Sequence, residues 1–316
     1  MTINGQNTVL IICGPTASGK SALALDIAVA FRGTVINADS MQVYQELPIL
    51  TARPCPADEA KVPHRLYGIR SIANTFSAGQ WQVLAEREIR AALLEGSLPV
   101  VCGGTGLYLK ALMQGLSPIP EIPTEIRDRV RQLLAKKGAA WCHNRLAACD
   151  PSAAERLAPN DTQRIARALE VFEATGKPIS DWQAVAPKGP DPSWRFSTIL
   201  IVPPRAAMNK AIDQRFDAMI DAGALDEVRL IADLDPSLPA LKALGVPELR
   251  RYLAGEISLE IAADHSKTAT RQFAKRQMTW FRNQIIADKT INTQYMESFR
   301  KTIFSFIRNN VLTDSD

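Results

Sequence analysis

Eight consecutive residues, Gly14-Pro15-Thr16-Ala17-Ser18-Gly19-Lys20-Ser21, constrain this chain more than any other stretch. They satisfy the pattern G-x-x-x-x-G-K-[ST] at every fixed position. The run Val9-Leu10-Ile11-Ile12-Cys13 ahead of them is short, apolar and partly β-branched, and reads as a buried strand. The Ala/Leu-rich run from Ser21 to Ala28 behind them reads as a helix. A strand, a glycine turn and a helix N-terminus make an anion site, because backbone N–H groups point into the loop and the helix dipole favours negative charge. Lys20 is then placed to reach the outer phosphates, and the Ser21 hydroxyl to hold Mg²⁺. The motif specifies a diphosphate or triphosphate ligand and leaves the chemistry open.

The surroundings of the loop indicate its architecture. Strand signals recur at Thr34–Asp39 and Leu98–Cys102, and a helix is predicted over Trp81–Glu95 with Gly96 as its stop. Gly103-Gly104-Thr105-Gly106 leads into a second helical run, Leu107–Met113. Repeated strand–loop–helix units imply an α/β fold, a P-loop NTPase-like parallel sheet with flanking helices. Ligands of such sheets bind at the carboxyl ends of the strands, which puts the Gly14 loop, Asp39 and Thr105 on one rim. The proline-rich stretch Ser117–Pro123 ends the strand signals, and a strand returns at Thr198–Val202. Two domains are therefore expected: a catalytic core of residues 1–117 and 196–316, and a helical insertion domain of residues 118–195. The last residues, Leu312–Asp316, are expected to fray.

With 316 residues, 46% apolar and 22% charged, the chain has the composition of a soluble globular enzyme. No apolar run approaches the roughly 18 residues of a membrane span. Met1–Asn7 has no basic region ahead of an apolar run, so no signal peptide is expected. The five cysteines are scattered without a C-x-x-C pair, which argues against a zinc site and for a reduced, cytoplasmic protein. Net charge is +4, mild overall. The positive residues are nevertheless clustered. Arg271, Lys275 and Arg282 line up on one helical face over Thr268–Arg282, with Phe273, Gln277 and Phe281 opposite, as a polyanion partner would require. A solvated cationic face is the alternative.

Other positions carry two readings each. Asp39, after an apolar strand, fits a metal ligand or general base, and equally a helix N-cap. Thr105, among glycines, fits a ligand donor or an ordinary strand-to-helix turn. Arg164 and Arg167, at i and i+3 beside the apolar face Ile165–Ala168–Leu169–Phe172, fit phosphate contacts or a solvated face.

Several blocks in order resemble the bacterial tRNA dimethylallyltransferases, also called tRNA isopentenyltransferases. They are GPTASGKSALA at 14–24, DSMQVY at 39–44, PHRLYGI at 63–69, GGTGLYLKALMQGL at 103–116, NDTQRIARALEVFEATGKP at 160–178 and TRQFAKRQMTWFRN at 270–283. The resemblance implies transfer of the dimethylallyl group of dimethylallyl diphosphate to N6 of the adenosine 3′ of the tRNA anticodon, on a flipped-out base. It implies that Gly14, Thr16, Ala17, Ser18, Gly19, Lys20, Ser21 and Arg215 hold the diphosphate, with Mg²⁺ as cofactor on Ser21. It implies Asp39 as general base and Thr105 as the residue that positions the adenine. It also implies tRNA contacts at Asp39, Ser40, Met41, Gln42, Thr105, Arg127, Gln163, Arg164, Ile165, Ala166 and Arg167, with residues 118–195 engaging the anticodon loop of a monomeric enzyme. Two stretches depart from the family pattern. Ile49-Leu50-Thr51-Ala52-Arg53-Pro54 lacks a glycine, and Leu244-Gly245-Val246-Pro247 lacks an aromatic and an arginine. A small-molecule kinase and a nucleotide-hydrolysing RNA switch are the competing classes.

Overall fold

Alternation along one strand organises the sheet. In β1 (Asn7–Cys13), Leu10 and Ile12 face one helical layer while Val9, Ile11 and Cys13 face the other, and Val9 to Cys13 are all fully buried. A strand covered on both faces needs such an unbroken apolar run. Each of the aliphatic side chains Val9, Leu10, Ile11 and Ile12 contributes about 1.5–3 kcal/mol by leaving water. The computed structural model describes residues 7–312; the expected fraying of 313–316 and the reading of residues 1–6 lie outside the described residues.

Five further strands complete a six-stranded sheet: β2 (Gly33–Asn37), β3 (His64–Arg65), β4 (Leu98–Gly103), β5 (Trp194–Ile201) and β6 (Lys289–Ile291). Every pairing is parallel, in the order β3-β2-β4-β1-β5-β6. The helices Lys20–Phe31 and Arg300–Asn310 cover one face. Ala78–Leu94, Gly106–Gln114 and the C-terminal part of Leu259–Gln284 cover the other. The buried face of Ala78–Leu94 is Trp81, Ala85, Ile89 and Ala92, helical spacing that leaves Leu94 outside. The α/β parallel sheet with flanking helices is thus as expected.

The chain leaves β1 past β4 to reach β2, whereas β4 leads on to β5 on the opposite side. Connections therefore part between β1 and β4, the crevice where ligands of open parallel sheets bind. Cys13 and Gly103 are register partners at its mouth, and Asn37 pairs with Cys102 beside it.

The chain divides into two compact units, one running to Met113 and resuming at Asp191, the other Gln114–Pro190. The second is built from helices, with Val130, Cys142, Leu146, Ile165 and Leu169 at its centre. Gly176 ends the helix Thr162–Thr175 in a left-handed conformation, its N–H bonded to Phe172 O. Composition placed the insertion at 118–195; Trp194 and Arg195 are instead the first residues of β5, because a strand beginning beside Asn7 needs them as partners. Among the described residues, no helix is long and apolar enough to cross a membrane.

Candidate active site

The phosphate loop links β1 to the helix Lys20–Phe31. It needs positive φ at Gly14 (154°), Ala17 (61°) and Gly19 (89°). Two of these are glycines, and Ala17 holds the left-handed conformation at a cost typical of functional turns. A Cβ on Gly14 would lie 2.6 Å from Ile201 O, and one on Gly19 would lie 2.9 Å from Tyr295 Cβ, so both positions are closed to other residues. Tyr295 N donates to Ser18 O at 3.2 Å, and Gln294 Nε2 to Ala17 O at 3.4 Å. Ser18 Oγ is buried with no hydrogen-bond partner among the described residues. Ser21, the second residue of the helix, is exposed.

Lys20 Nζ donates to Pro15 O at 3.3 Å. Burial lowers the Lys20 pKa, and Asp39 opposes that shift. Arg215, from the helix Arg205–Asp221, donates to Thr16 Oγ1. Burial lowers its pKa as well, again opposed by Asp39. Two cations desolvated beside one another form a site prepared for an anion.

Asp39 lies in the turn after β2. No helix starts there, which removes the N-cap reading; Asp39 Oδ1 accepts the Met41 amide at 2.9 Å in a local turn. Thr105 Oγ1 accepts the Ser40 amide at 2.9 Å and donates to Ser40 Oγ at 3.2 Å. This joins the loops after β2 and β4. Gly103 is needed because a Cβ there would sit 2.1 Å from Ala38 O. The result is a cavity of about 230 Å³ lined by Thr16, Arg215, Asp39, Ser40, Met41 and Thr105 among others. Leu50, Ile212, Phe216, Met219 and Phe273 make its walls apolar.

Other expected contacts fall differently. Gln42 uses its amide within the protein, donating to Thr51 O (2.8 Å) and Ala52 O (2.9 Å). Gln163 and Arg164 are exposed on the second unit, with Arg164 paired to Asp161 at 3.3 Å. Arg167 pairs with Glu170 at 3.5 Å. Ile165 and Ala166 are buried in that unit's core, so their side chains support the helix and are not presented to a ligand. Arg127 is half-buried in the same unit. The cationic stripe is also rearranged. Arg271 turns onto Asp213 at 2.5 Å, and Arg276 instead joins the cavity wall while Lys275 and Arg282 are exposed.

Sequence reasoning missed three supporting residues. Gln277 is 6% exposed and joins two loops: its Oε1 accepts Thr16 N and its Nε2 donates to Gly104 O, both at 2.8 Å. A glutamine on the apolar face of its helix was the available signal. Glu227, also buried, accepts the amides of Ile49 and Leu50 and so fixes the departing stretch 49–54 against the cavity; burial pushes its carboxyl pKa up despite those bonds. Lys242, the last residue of the 3-10 turn Pro239–Lys242, lines the same cavity.

Three comparisons bear on this site. A family model described as IPP transferase matches residues 42–284. The chain is 49% identical to a tRNA dimethylallyltransferase of Parvibaculum lavamentivorans over 97% of its own length and 98% of the relative's. It is 54% identical to one of Rhodospirillum centenum over 88% and 90%. Among solved structures, a tRNA isopentenylpyrophosphate transferase of Bacillus halodurans superposes with a TM-score of 0.69 at 30% identity, covering 96% of each chain. A eukaryotic dimethylallyltransferase described as acting on tRNA superposes with a TM-score of 0.80 at 25% identity, covering 97% of this chain and 79% of the other.

Proposed function

The chain belongs to the IPP transferase family, and from that premise we propose that it transfers the dimethylallyl group of dimethylallyl diphosphate to N6 of the adenosine 3′ of the anticodon in tRNA, releasing pyrophosphate. One observation carries the assignment: Asp39 and Thr105 share a cavity with Thr16 and Arg215, so a proton acceptor and an anion clamp face the same space.

An allylic carbon bonded to diphosphate ionises readily once the leaving charge is neutralised. The N–H groups of the phosphate loop, Lys20 and Arg215 supply that neutralisation from fixed, desolvated positions. The N6 amine attacks the carbon, the C–O bond to the diphosphate breaks, and Asp39 takes the proton that N6 loses. Thr105 orients the base through its hydroxyl, and Ser40 and Met41 form the adjoining wall. The walls of Leu50, Phe216, Met219 and Phe273 exclude water from the allylic carbon, which would otherwise be hydrolysed.

Mg²⁺ fits this donor set. Ser21, in the first turn of the helix that follows the phosphate loop, offers one hydroxyl. That matches an ion held by one hydroxyl, diphosphate oxygens and water, where it would further neutralise the leaving group. The exposed Gln163 and Arg164, with Arg167 and Arg127, are assigned to the tRNA, which makes the helical unit the reader of the anticodon loop in a cytoplasmic, monomeric enzyme.

The test is incorporation of labelled dimethylallyl diphosphate into bulk tRNA with Mg²⁺, beside an ATP control. Label should enter tRNA and be lost when the acceptor adenosine is replaced. ATP turnover with a small acceptor and no label in tRNA would instead indicate a kinase.

A further inference from the structure

We propose that Asn37, the last residue of β2, is the positioning residue that fixes the orientation of Asp39; the inference rests on Asp39 being the base. Asn37 is fully buried and does not line the cavity, so it acts only through its neighbour. Its side-chain amide brackets Asp39 from both ends. Oδ1 accepts the Asp39 N–H at 2.8 Å, and Nδ2 donates to Asp39 O at 3.0 Å. With both peptide groups of Asp39 held, the direction of its Cα–Cβ bond is held too.

The bracket is itself anchored. Nδ2 also donates to Leu66 O at 3.0 Å, and Asn37 O accepts from Trp81 Nε1 at 2.8 Å. Leu66 is a buried leucine at φ 65°, a conformation unfavourable for its side chain that aims its carbonyl at Asn37. Trp81 is fully buried and stacks on Tyr108 at 4.5 Å between ring centroids, so its indole N–H is held in place. Of the small polar side chains, only a primary amide offers an acceptor and two donors in this fork. An aspartate of the same shape would turn a second oxygen toward the carbonyls of Asp39 and Leu66. Repulsion would open the bracket while that carboxyl is ionised, and protonation would restore one donor.

That difference supplies the test. Lys20 and Arg215 face Asp39 from the phosphate loop and the helix Arg205–Asp221; Cys102 pairs with Asn37 across the sheet, and Tyr67 and Tyr108 are also close enough to feel Asp39. Burial raises the Cys102 pKa to about 11 and holds both tyrosines above their ordinary value. All five are common to the wild type, whose own pH profile is therefore the reference.

The transfer assay is run with wild type, Asn37→Asp, Asn37→Ala and Asp39→Asn from about pH 6 to about pH 9. Asn37→Asp should lose about 10- to 100-fold in kcat at the alkaline end, with both KM values within about 2-fold. Its deficit should narrow as pH falls, because burial raises the pKa of the introduced carboxyl. Asn37→Ala should show a deficit that does not narrow. Wild-type kcat in Asn37→Asp, a pH-independent deficit, or one carried by KM alone would overturn the proposal. Hydrogen exchange on the wild type tests it without any variant: the Asp39 amide should be protected, and free exchange would also overturn it. Full activity in Asp39→Asn would refute the base assignment separately, since the exchange result reports on the Asn37 bond alone.

Discussion

Gln277 and Thr16 are 261 positions apart in the chain, yet a hydrogen bond of 2.8 Å joins the glutamine side chain to the threonine amide. The same side chain donates to Gly104 O. One buried amide thereby sets the spacing between the phosphate loop and the loop carrying Thr105.

Gln277→Leu leaves the Thr16 N–H and the Gly104 carbonyl without partners. Each orphaned group costs about 1–3 kcal/mol. Denaturant unfolding should show the variant less stable by at least the lower figure, and its KM for dimethylallyl diphosphate should rise. Unchanged stability together with unchanged KM would show that the bridge is not what spaces the loops.

Lys20→Ala removes a cation aimed at the diphosphate. The donor kcat/KM should fall by about 10²-fold or more, while the Kd for tRNA stays within about 2-fold. A larger effect on tRNA affinity than on donor use would move Lys20 out of the diphosphate clamp.

Arg164→Gln with Arg167→Gln tests the exposed edge of the helix Thr162–Thr175. Among the described residues both arginines are held by partly exposed ion pairs, worth about 0–1 kcal/mol, so stability should hardly change. Affinity for tRNA should drop, and the slope of log K against log salt should become shallower by about 1 to 2. A slope equal to that of the wild type would return this face to solvent.

Asp150 gives the helical unit a pH dependence of defined sign. Burial pushes its carboxyl up, but the N–H groups of Ser180 and Ala153, each at 3.0 Å, outweigh burial and hold the pKa below the ordinary value. A depressed folded pKa contributes stability that is complete above the unfolded value of about 3.9 and is lost as pH falls through the folded one. Asp150→Asn should be less stable than wild type at pH 7, by about 1–3 kcal/mol, because an amide keeps one acceptor and turns a donor toward the other N–H. The gap should close below about pH 4, a trend that urea titrations of both proteins at a series of pH values would reveal.

The parts legible in the sequence were those whose cause is local. Val9–Cys13 shows its burial by composition, and Gly14 and Gly19 stand where backbone demands them. The edge strands were not legible: His64–Arg65 has two residues and Lys289–Ile291 has three, too few for a period to register. Arg271 could not be placed from a helical projection, because its partner Asp213 lies on another helix. Glu227 carries no local signal, because the amides it accepts, Ile49 and Leu50, lie far away in the chain. Asp39 is legible as a carboxylate after a strand, with a helix N-cap as one of its two readings, but the turn found there depends on Asn37, Leu66 and Thr105 together.

The buttress behind the phosphate loop has a consequence for synthesis. Ala17 waits for Gln294, 277 positions later, Ser18 for Tyr295, and Asp26 on the following helix for the Tyr295 hydroxyl and for Arg300. At about 5–20 residues per second, a ribosome needs on the order of 15 to 55 seconds between making the loop and making its support. The nascent chain thus carries a recognisable phosphate motif through a further 277 residues of translation before Gln294 reaches it. Messages cut short before Gln294 and Tyr295 are encoded yield a chain with the motif but without the contacts that brace its loop.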